Sequence, residues 1–108
     1  MIEYHKLVRD KIPEIIKKDG KQAITQILSD EDYKVELRKK ASEELTEYFQ
    51  ATTDIESIEE LADLLEIIHS LAAVHGATFA ELENVRQHKA EKRGGFKDKV
   101  FLVGVNES

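Results

Sequence analysis

Two pairs of carboxylates are the residues whose types and spacing are best suited to chemistry. Glu44 and Glu47 form the first pair, and Glu60 and Asp63 form the second. Residues at i and i+3 share one face of a helix with Cβ atoms about 5–6 Å apart. Each pair could therefore chelate one hard cation or bridge two. Mg²⁺ prefers such oxygen ligands and can activate a water for attack on phosphorus.

The helical positions of these acids strengthen the metal interpretation beyond their spacing. Glu44 falls inside the apolar stripe of its helix, and Glu60 lies at the edge of a wide apolar arc. A carboxylate turned towards a core is costly unless it is paired, protonated or bound to metal. The alternative stays open, because a chain with 22 acidic residues also produces such spacings by chance on solvated faces.

Four helices are expected to position these acids. Caps, glycine stops and apolar periodicity predict them over 13–18, 30–51, 55–75 and 79–92. Ser29 or Asp30 should cap the second helix, Asp54 the third, and Thr78 with Glu81 the fourth. β-Tolerant residues predict strands over 21–28 and 99–105.

The fold class predicted from these elements is mainly all-α. The two long helices should form an antiparallel hairpin, around which a helical bundle of residues 1–108 is built as a single domain, with a minor two-stranded β element. Apolar residues of the second helix form one stripe: Tyr33, Leu37, Ala41, Leu45, Tyr48 and Phe49. The third helix carries a much wider arc: Ile58, Leu61, Ala62, Leu64, Leu65, Ile67, Ile68, Leu71 and Ala72. So wide an arc predicts more than one neighbour, and hence a bundle completed by oligomerisation.

Composition narrows the classes of function. The 108 residues are 35% charged and carry a net charge of −6, which disfavours a protein that coats nucleic acid. The absence of cysteine excludes disulfides and thiolate chemistry from these residues. No apolar run approaches the roughly 18 residues of a membrane span, and the start shows no signal peptide. A cytoplasmic location without membrane or nucleic-acid partners is therefore expected.

The acidic motif and its surroundings resemble the MazG-like, all-α nucleoside triphosphate pyrophosphohydrolases, a group that includes phosphoribosyl-ATP pyrophosphohydrolase. Twelve residues separate Glu44-x-x-Glu47 from Glu60-x-x-Asp63, and the flanking text reads KASEELTE and IEELADLLEII. The chain ends, KLVRDKIPEII and EKRGGFKDKVFLVGV, look like a subgroup of phosphoribosyl-ATP pyrophosphohydrolase-like proteins. The similarity therefore covers most of the chain.

The resemblance implies a Mg²⁺ site, with Mn²⁺ as a substitute, that is built from Glu44, Glu47, Glu60 and Asp63. It also implies hydrolysis of a nucleoside triphosphate between the α and β phosphates, and a homodimer or homotetramer with substrate near a subunit interface. Glu47, with Glu44 as the other candidate, is expected to help deprotonate the attacking water. The chain lacks the cysteine- or histidine-rich signature of the extra metal sites in the phosphoribosyl-ATP enzyme of the histidine pathway. A substrate other than phosphoribosyl-ATP is therefore expected.

Basic residues near the chain ends, and one that precedes the first acidic pair on the second helix, are candidate phosphate contacts. They are Lys6, Arg9, Lys40 and Arg93, and Arg93 adjoins Gly94-Gly95, where the backbone can approach an anion. A solvated surface charge is the competing interpretation for each lysine. For the whole chain the competing function is a catalytically inactive helical dimer that binds a nucleotide or a protein.

Overall fold

Four helices make up the regular structure of the computed structural model, which describes residues 1–107. They are α1 (Ile12–Lys18), α2 (Asp30–Gln50), α3 (Asp54–Val74) and α4 (Phe79–Arg93). These bounds agree with the predicted helices to within one residue at either end. Over the described range, no helix combines the length and apolarity that crossing a bilayer requires.

Side-chain caps fix where the three longer helices begin. Ser29 Oγ accepts a hydrogen bond from the Asp32 amide, so the cap of α2 is Ser29 and not Asp30. Thr53, not Asp54 as predicted, caps α3, because its extended backbone brings Oγ1 to 3.1 Å from the Glu56 nitrogen. Thr78 caps α4 as predicted, accepting from the Glu81 amide.

The hairpin of α2 and α3 holds the core. Three residues join the two helices, and they pack against each other. Leu37 and Ile67 are the hydrophobic side chains that this packing buries, with 4% and 8% of their surface exposed. Each lies seven residues from a carboxylate, Leu37 from Glu44 and Ile67 from Glu60. Since seven residues are about two helical turns, the core and the acids share the inner face of each helix.

The outer part of the apolar pattern stays uncovered. Leu45 and Phe49, predicted on the inner stripe of α2, are 41% and 72% exposed. On α3, the inner stripe is formed by Glu60, Leu64, Ile67 and Leu71. A second stripe, termed here the outer stripe, is exposed and comprises Ile58, Leu61, Leu65 and Ile68.

The two predicted strands are wrong for residues 1–107, which contain no strand. Segments 21–28 and 99–105 run without regular structure, and most of their large apolar side chains are exposed, with Ile27 98% and Val103 92% exposed. Strand propensity measures how well a side chain packs on a pleated, half-buried surface. Neither segment has such a surface beside it, so the propensity is not realised.

The chain is far from compact. Its radius of gyration is 18.8 Å, with extents of 68 × 35 × 23 Å, whereas a compact domain of this length has a radius of gyration of about 13 Å. The accessible surface is 10081 Å², about 4,000 Å² more than a compact monomer of this mass exposes. Exposed large apolar side chains, both on α3 and in the two chain ends, contribute to this excess.

Candidate metal centre

The two facing helices bring three of the four predicted metal ligands together. Glu44 and Glu47 project from α2 and Glu60 from α3, and one carboxylate oxygen from each lies within 4.8 Å of the others. The sequence spacing placed each pair on one helical face. The hairpin adds the approach of the two faces, because its short loop sets the helices side by side. These three side chains are called the acidic cluster below.

Two oxygens of the acidic cluster are shielded from water and lack a partner. Oε2 of Glu44 and Oε2 of Glu60 are buried and accept no hydrogen bond from the described residues. A buried acceptor without a donor is destabilising, more so when it is charged. The fully ionised, empty cluster is therefore unfavourable, and uptake of a proton or a cation would relieve it.

The proton affinity of Glu44 reflects this crowding. Burial of its carboxyl group, followed by contact with the Glu60 and Glu47 carboxyls and by the charges of Glu47 and Asp63, raises the pKa of Glu44 from 4.5 to about 7. Near neutral pH, the metal-free cluster thus holds a proton on this carboxyl for about half of the time.

Glu60 feels the same environment with one opposing contribution. The close contact with the Glu44 carboxyl lowers the pKa of Glu60, but burial and the neighbouring Glu47 and Asp63 carboxylates outweigh it, so the pKa is raised overall. The fully ionised state is therefore disfavoured at two inward glutamates, one on each helix.

The fourth predicted ligand, Asp63, lies beside the acidic cluster and already has a cationic partner. Its charge contributes to the raised pKa of Glu44 and of Glu60. Its Oδ1 accepts a hydrogen bond from Arg9 Nη2 at 2.7 Å. Sequence reasoning named both residues but did not pair them, because 54 positions separate them and no local periodicity reports such a contact.

The other predicted phosphate contacts lie in different places. Lys40 precedes Glu44 by four residues and is half-buried on the same face of α2. Lys6 lies over the ring of Tyr4, with Nζ 5.8 Å from the ring centroid. Arg93 ends α4 and lines an open depression with Val85 and Lys89, among other residues of α4. Over residues 1–107, Lys6, Lys40 and Arg93 form no ion pair, so only Arg9 contacts a predicted metal ligand.

The donor set fits a hard divalent cation. All of its ligand atoms are carboxylate oxygens, which suit Mg²⁺ and Mn²⁺ and are poor ligands for soft metals. Glu44 and Glu60 each also carry a buried oxygen that has no hydrogen-bond partner. A cation there would supply the missing partner and cancel the mutual repulsion that raises the pKa of Glu44.

Comparisons with protein-family models, with curated proteins and with solved structures found no match to this chain. The inference of function therefore depends on the geometry of the acidic cluster and on the residues around it.

Proposed function

We propose that the chain is a Mg²⁺-dependent nucleotide pyrophosphohydrolase that cleaves a nucleoside triphosphate between the α and β phosphates, giving a monophosphate and pyrophosphate. The observation that carries the proposal is the convergence of Glu44, Glu47 and Glu60 from two helices, with a buried, unpartnered oxygen on two of them. The resemblance of the acidic motif and both chain ends to the MazG-like pyrophosphohydrolases supports the same reaction.

The four acids divide the work between holding the metal and moving a proton. Glu44, Glu47, Glu60 and Asp63 would hold Mg²⁺, or Mn²⁺ in its place. When bound, the ion would neutralise phosphate charge and lower the pKa of a water that attacks phosphorus. Glu47, with Glu44 as the alternative, accepts a proton from that water.

Basic residues bind the polyphosphate in this proposal. Arg9 is the best placed, since its guanidinium already lies at Asp63, and Lys40 shares the helical face of Glu44. Lys6 and Arg93 are the further candidates in this set. Arginine can bind two phosphate oxygens at once, and lysine acts as a point charge.

The working form in this proposal is a homodimer or homotetramer. The outer stripe of α3 repeats at intervals of three, four and three residues, which is the spacing of a helix–helix seam. Its side chains are 38% to 65% exposed. Permanent homodimers bury about 2,000–5,000 Å² in total, and the excess surface of this chain is large enough to supply such an interface.

The test is pyrophosphate release from a panel of ordinary and damaged nucleoside triphosphates, with and without Mg²⁺. We expect Mg²⁺-dependent release from at least one of them by the wild-type protein. Glu44→Gln should lower turnover at least about 100-fold, the upper end of the losses seen when groups supporting a metal are removed. Glu43→Gln is the matched control, because Glu43 is the exposed neighbour of Glu44 outside the acidic cluster.

Two results would point elsewhere. No turnover across the panel, together with no heat stabilisation by Mg²⁺, would falsify the enzymatic proposal. Calorimetric binding of Mg²⁺ and a non-hydrolysable triphosphate, without turnover of the natural analogue, would favour the catalytically inactive binding module.

A further inference from the structure

We propose that Arg9 stands in for the metal at Asp63 in the metal-free protein and transfers to a substrate phosphate when a divalent cation takes that carboxylate. This inference rests on the proposed function and deepens it. It makes one ion pair the link between metal binding and the N-terminal segment, residues 1–29.

The Arg9–Asp63 hydrogen bond differs from all the others in the described chain. It joins residues 54 apart, whereas no other hydrogen bond within residues 1–107 spans more than five residues. Apart from the Ser29 cap of α2, it is also the only side-chain hydrogen bond between the N-terminal segment and the hairpin over that range. The position of Arg9 therefore depends on what Asp63 binds.

The pair is weak enough to be exchanged. The side chains of Arg9 and Asp63 are 61% and 42% exposed, so water screens their attraction. A divalent cation held by several carboxylates outcompetes a single exposed guanidinium, because its charge is doubled and its ligands converge. The exchange leaves Asp63 on the metal and Arg9 without a partner.

Nothing else holds the N-terminal segment in its present place by regular packing. α1 packs against none of the other three helices, so Arg9 can swing without disrupting the core at Leu37 and Ile67. A metal beside Asp63 repels the guanidinium, while the phosphates that a metal recruits attract it. The released Arg9 is thus left beside the position where the charge of the substrate arrives.

The test is that removal of the Arg9 side chain should have opposite effects on the binding of Mg²⁺ and of a phosphate analogue. Isothermal calorimetry with Mg²⁺ alone should show Arg9→Ala binding about two- to fivefold more tightly than wild type, because the competing cation has gone. With saturating Mg²⁺, Arg9→Ala should bind methylenediphosphonate, a non-hydrolysable pyrophosphate analogue, about tenfold more weakly, because a charged hydrogen bond to phosphate has gone. Arg9→Lys should fall between the two proteins in both titrations.

The control for net charge is Arg86→Ala. Arg86 has the same 61% side-chain exposure as Arg9, but it pairs with Glu83 within α4. We expect Arg86→Ala to match wild type in both titrations. Equal tightening of Mg²⁺ binding in both alanine variants would mean that charge alone is responsible, and would overturn the transfer.

Movement of the N-terminal segment gives an independent readout. The chain has no cysteine, so Glu14→Cys on α1 provides a single site for a nitroxide label. Saturating Mg²⁺ should narrow the spectrum of the labelled protein, and should leave the same label unchanged in an Arg9→Ala background, where the segment is already free.

Three results would overturn the transfer. Weaker or unchanged Mg²⁺ binding by Arg9→Ala would make Arg9 a residue that positions Asp63 for the metal, and the proposed enzyme would stand. A label that ignores saturating Mg²⁺ in the Arg9-containing protein would mean that the segment is not released. No Mg²⁺ binding by wild type would remove both the transfer and the metal centre.

Discussion

The α2–α3 hairpin and the two irregular segments 21–28 and 94–107 differ in what happens to their apolar residues. In the hairpin, each helix covers the inner stripe of the other, and Leu37 and Ile67 are buried. In segments 21–28 and 94–107, most large apolar side chains are exposed, and Phe96 is 98% exposed. In this chain, an apolar stripe is buried where a second helix of matching geometry follows closely in the sequence.

Truncating one side chain in each region should give the largest difference in the free energy of unfolding between the two regions. Leu37→Ala should lower the free energy of unfolding by about 2–5 kcal/mol, because it leaves a cavity between the helices. Ile27→Ala should change it by less than about 0.5 kcal/mol, since Ile27 is 98% exposed. Urea unfolding followed by circular dichroism measures both. Equal losses would mean that segment 21–28 is buried in the assembly that exists in solution.

A charge on the outer stripe should weaken self-association without unfolding the hairpin. Leu65→Asp, at a position 47% exposed in the single chain, should raise the dissociation constant of the oligomer at least about tenfold, as loss of a central interface residue does. Val85→Asp on α4, 55% exposed, is the control. Sedimentation equilibrium distinguishes them, and an oligomer unaffected by Leu65→Asp would move the interface away from α3.

Acidity should act on the hairpin through Glu44. Its pKa is 4.5 when unperturbed and about 7 in the folded chain, so between these values the native state holds a proton that the unfolded state releases. Stability of the metal-free protein should therefore fall as pH rises through this interval and level off above about pH 7. Melting temperatures at about pH 5.5 and about pH 8 in a chelator test this.

Two further melting experiments identify the group that is responsible for the pH dependence. Glu44→Gln should flatten most of the pH dependence, because its amide carries no charge to bury. Mg²⁺ added at the higher pH should raise the melting temperature of wild type and not of Glu44→Gln. A slope that survives the substitution intact would assign the effect to another carboxyl group.

The smallest expected effect concerns the start of α3. Thr53→Ala removes the oxygen that accepts from the Glu56 amide and should cost about 1 kcal/mol of stability. Thr52→Ala is the control, because Thr52 contributes only its backbone nitrogen, which donates to Glu56 Oε2. Thermal unfolding of the two variants side by side measures the difference. Equal losses would mean that side-chain capping contributes nothing at this end.

Sequence was sufficient wherever the governing interactions are local. Helix bounds follow from apolar periodicity and glycine, and the cap at Thr78 follows from its spacing to Glu81. The prediction of Asp54 as the cap of α3 was wrong because threonine caps as well as aspartate does, and only the backbone conformation at Thr53 shows that the helix is capped there. The strands at 21–28 and 99–105 were wrong because pairing depends on a distant partner.

In the candidate site, too, local arrangements could be predicted from the sequence and long-range contacts could not. Spacing placed Glu44 with Glu47, and Glu60 with Asp63, on shared faces, and the short loop implied that the faces meet. It gave no indication that Arg9 would reach Asp63, since that contact depends on the path of an irregular segment. Arg93 lies at the exposed end of α4, in a depression separate from the acidic cluster. This position also depends on tertiary structure, which local spacing does not predict.

The short range of nearly every hydrogen bond has a kinetic consequence. Proteins whose contacts are close in sequence have low contact order and fold within microseconds to milliseconds. Here only the loop at 51–53 must close before α2 and α3 can zip together. The hairpin that carries the acidic cluster is therefore expected to form first, at a rate independent of protein concentration, while any association of copies through the outer stripe follows as a slower step whose rate rises with concentration.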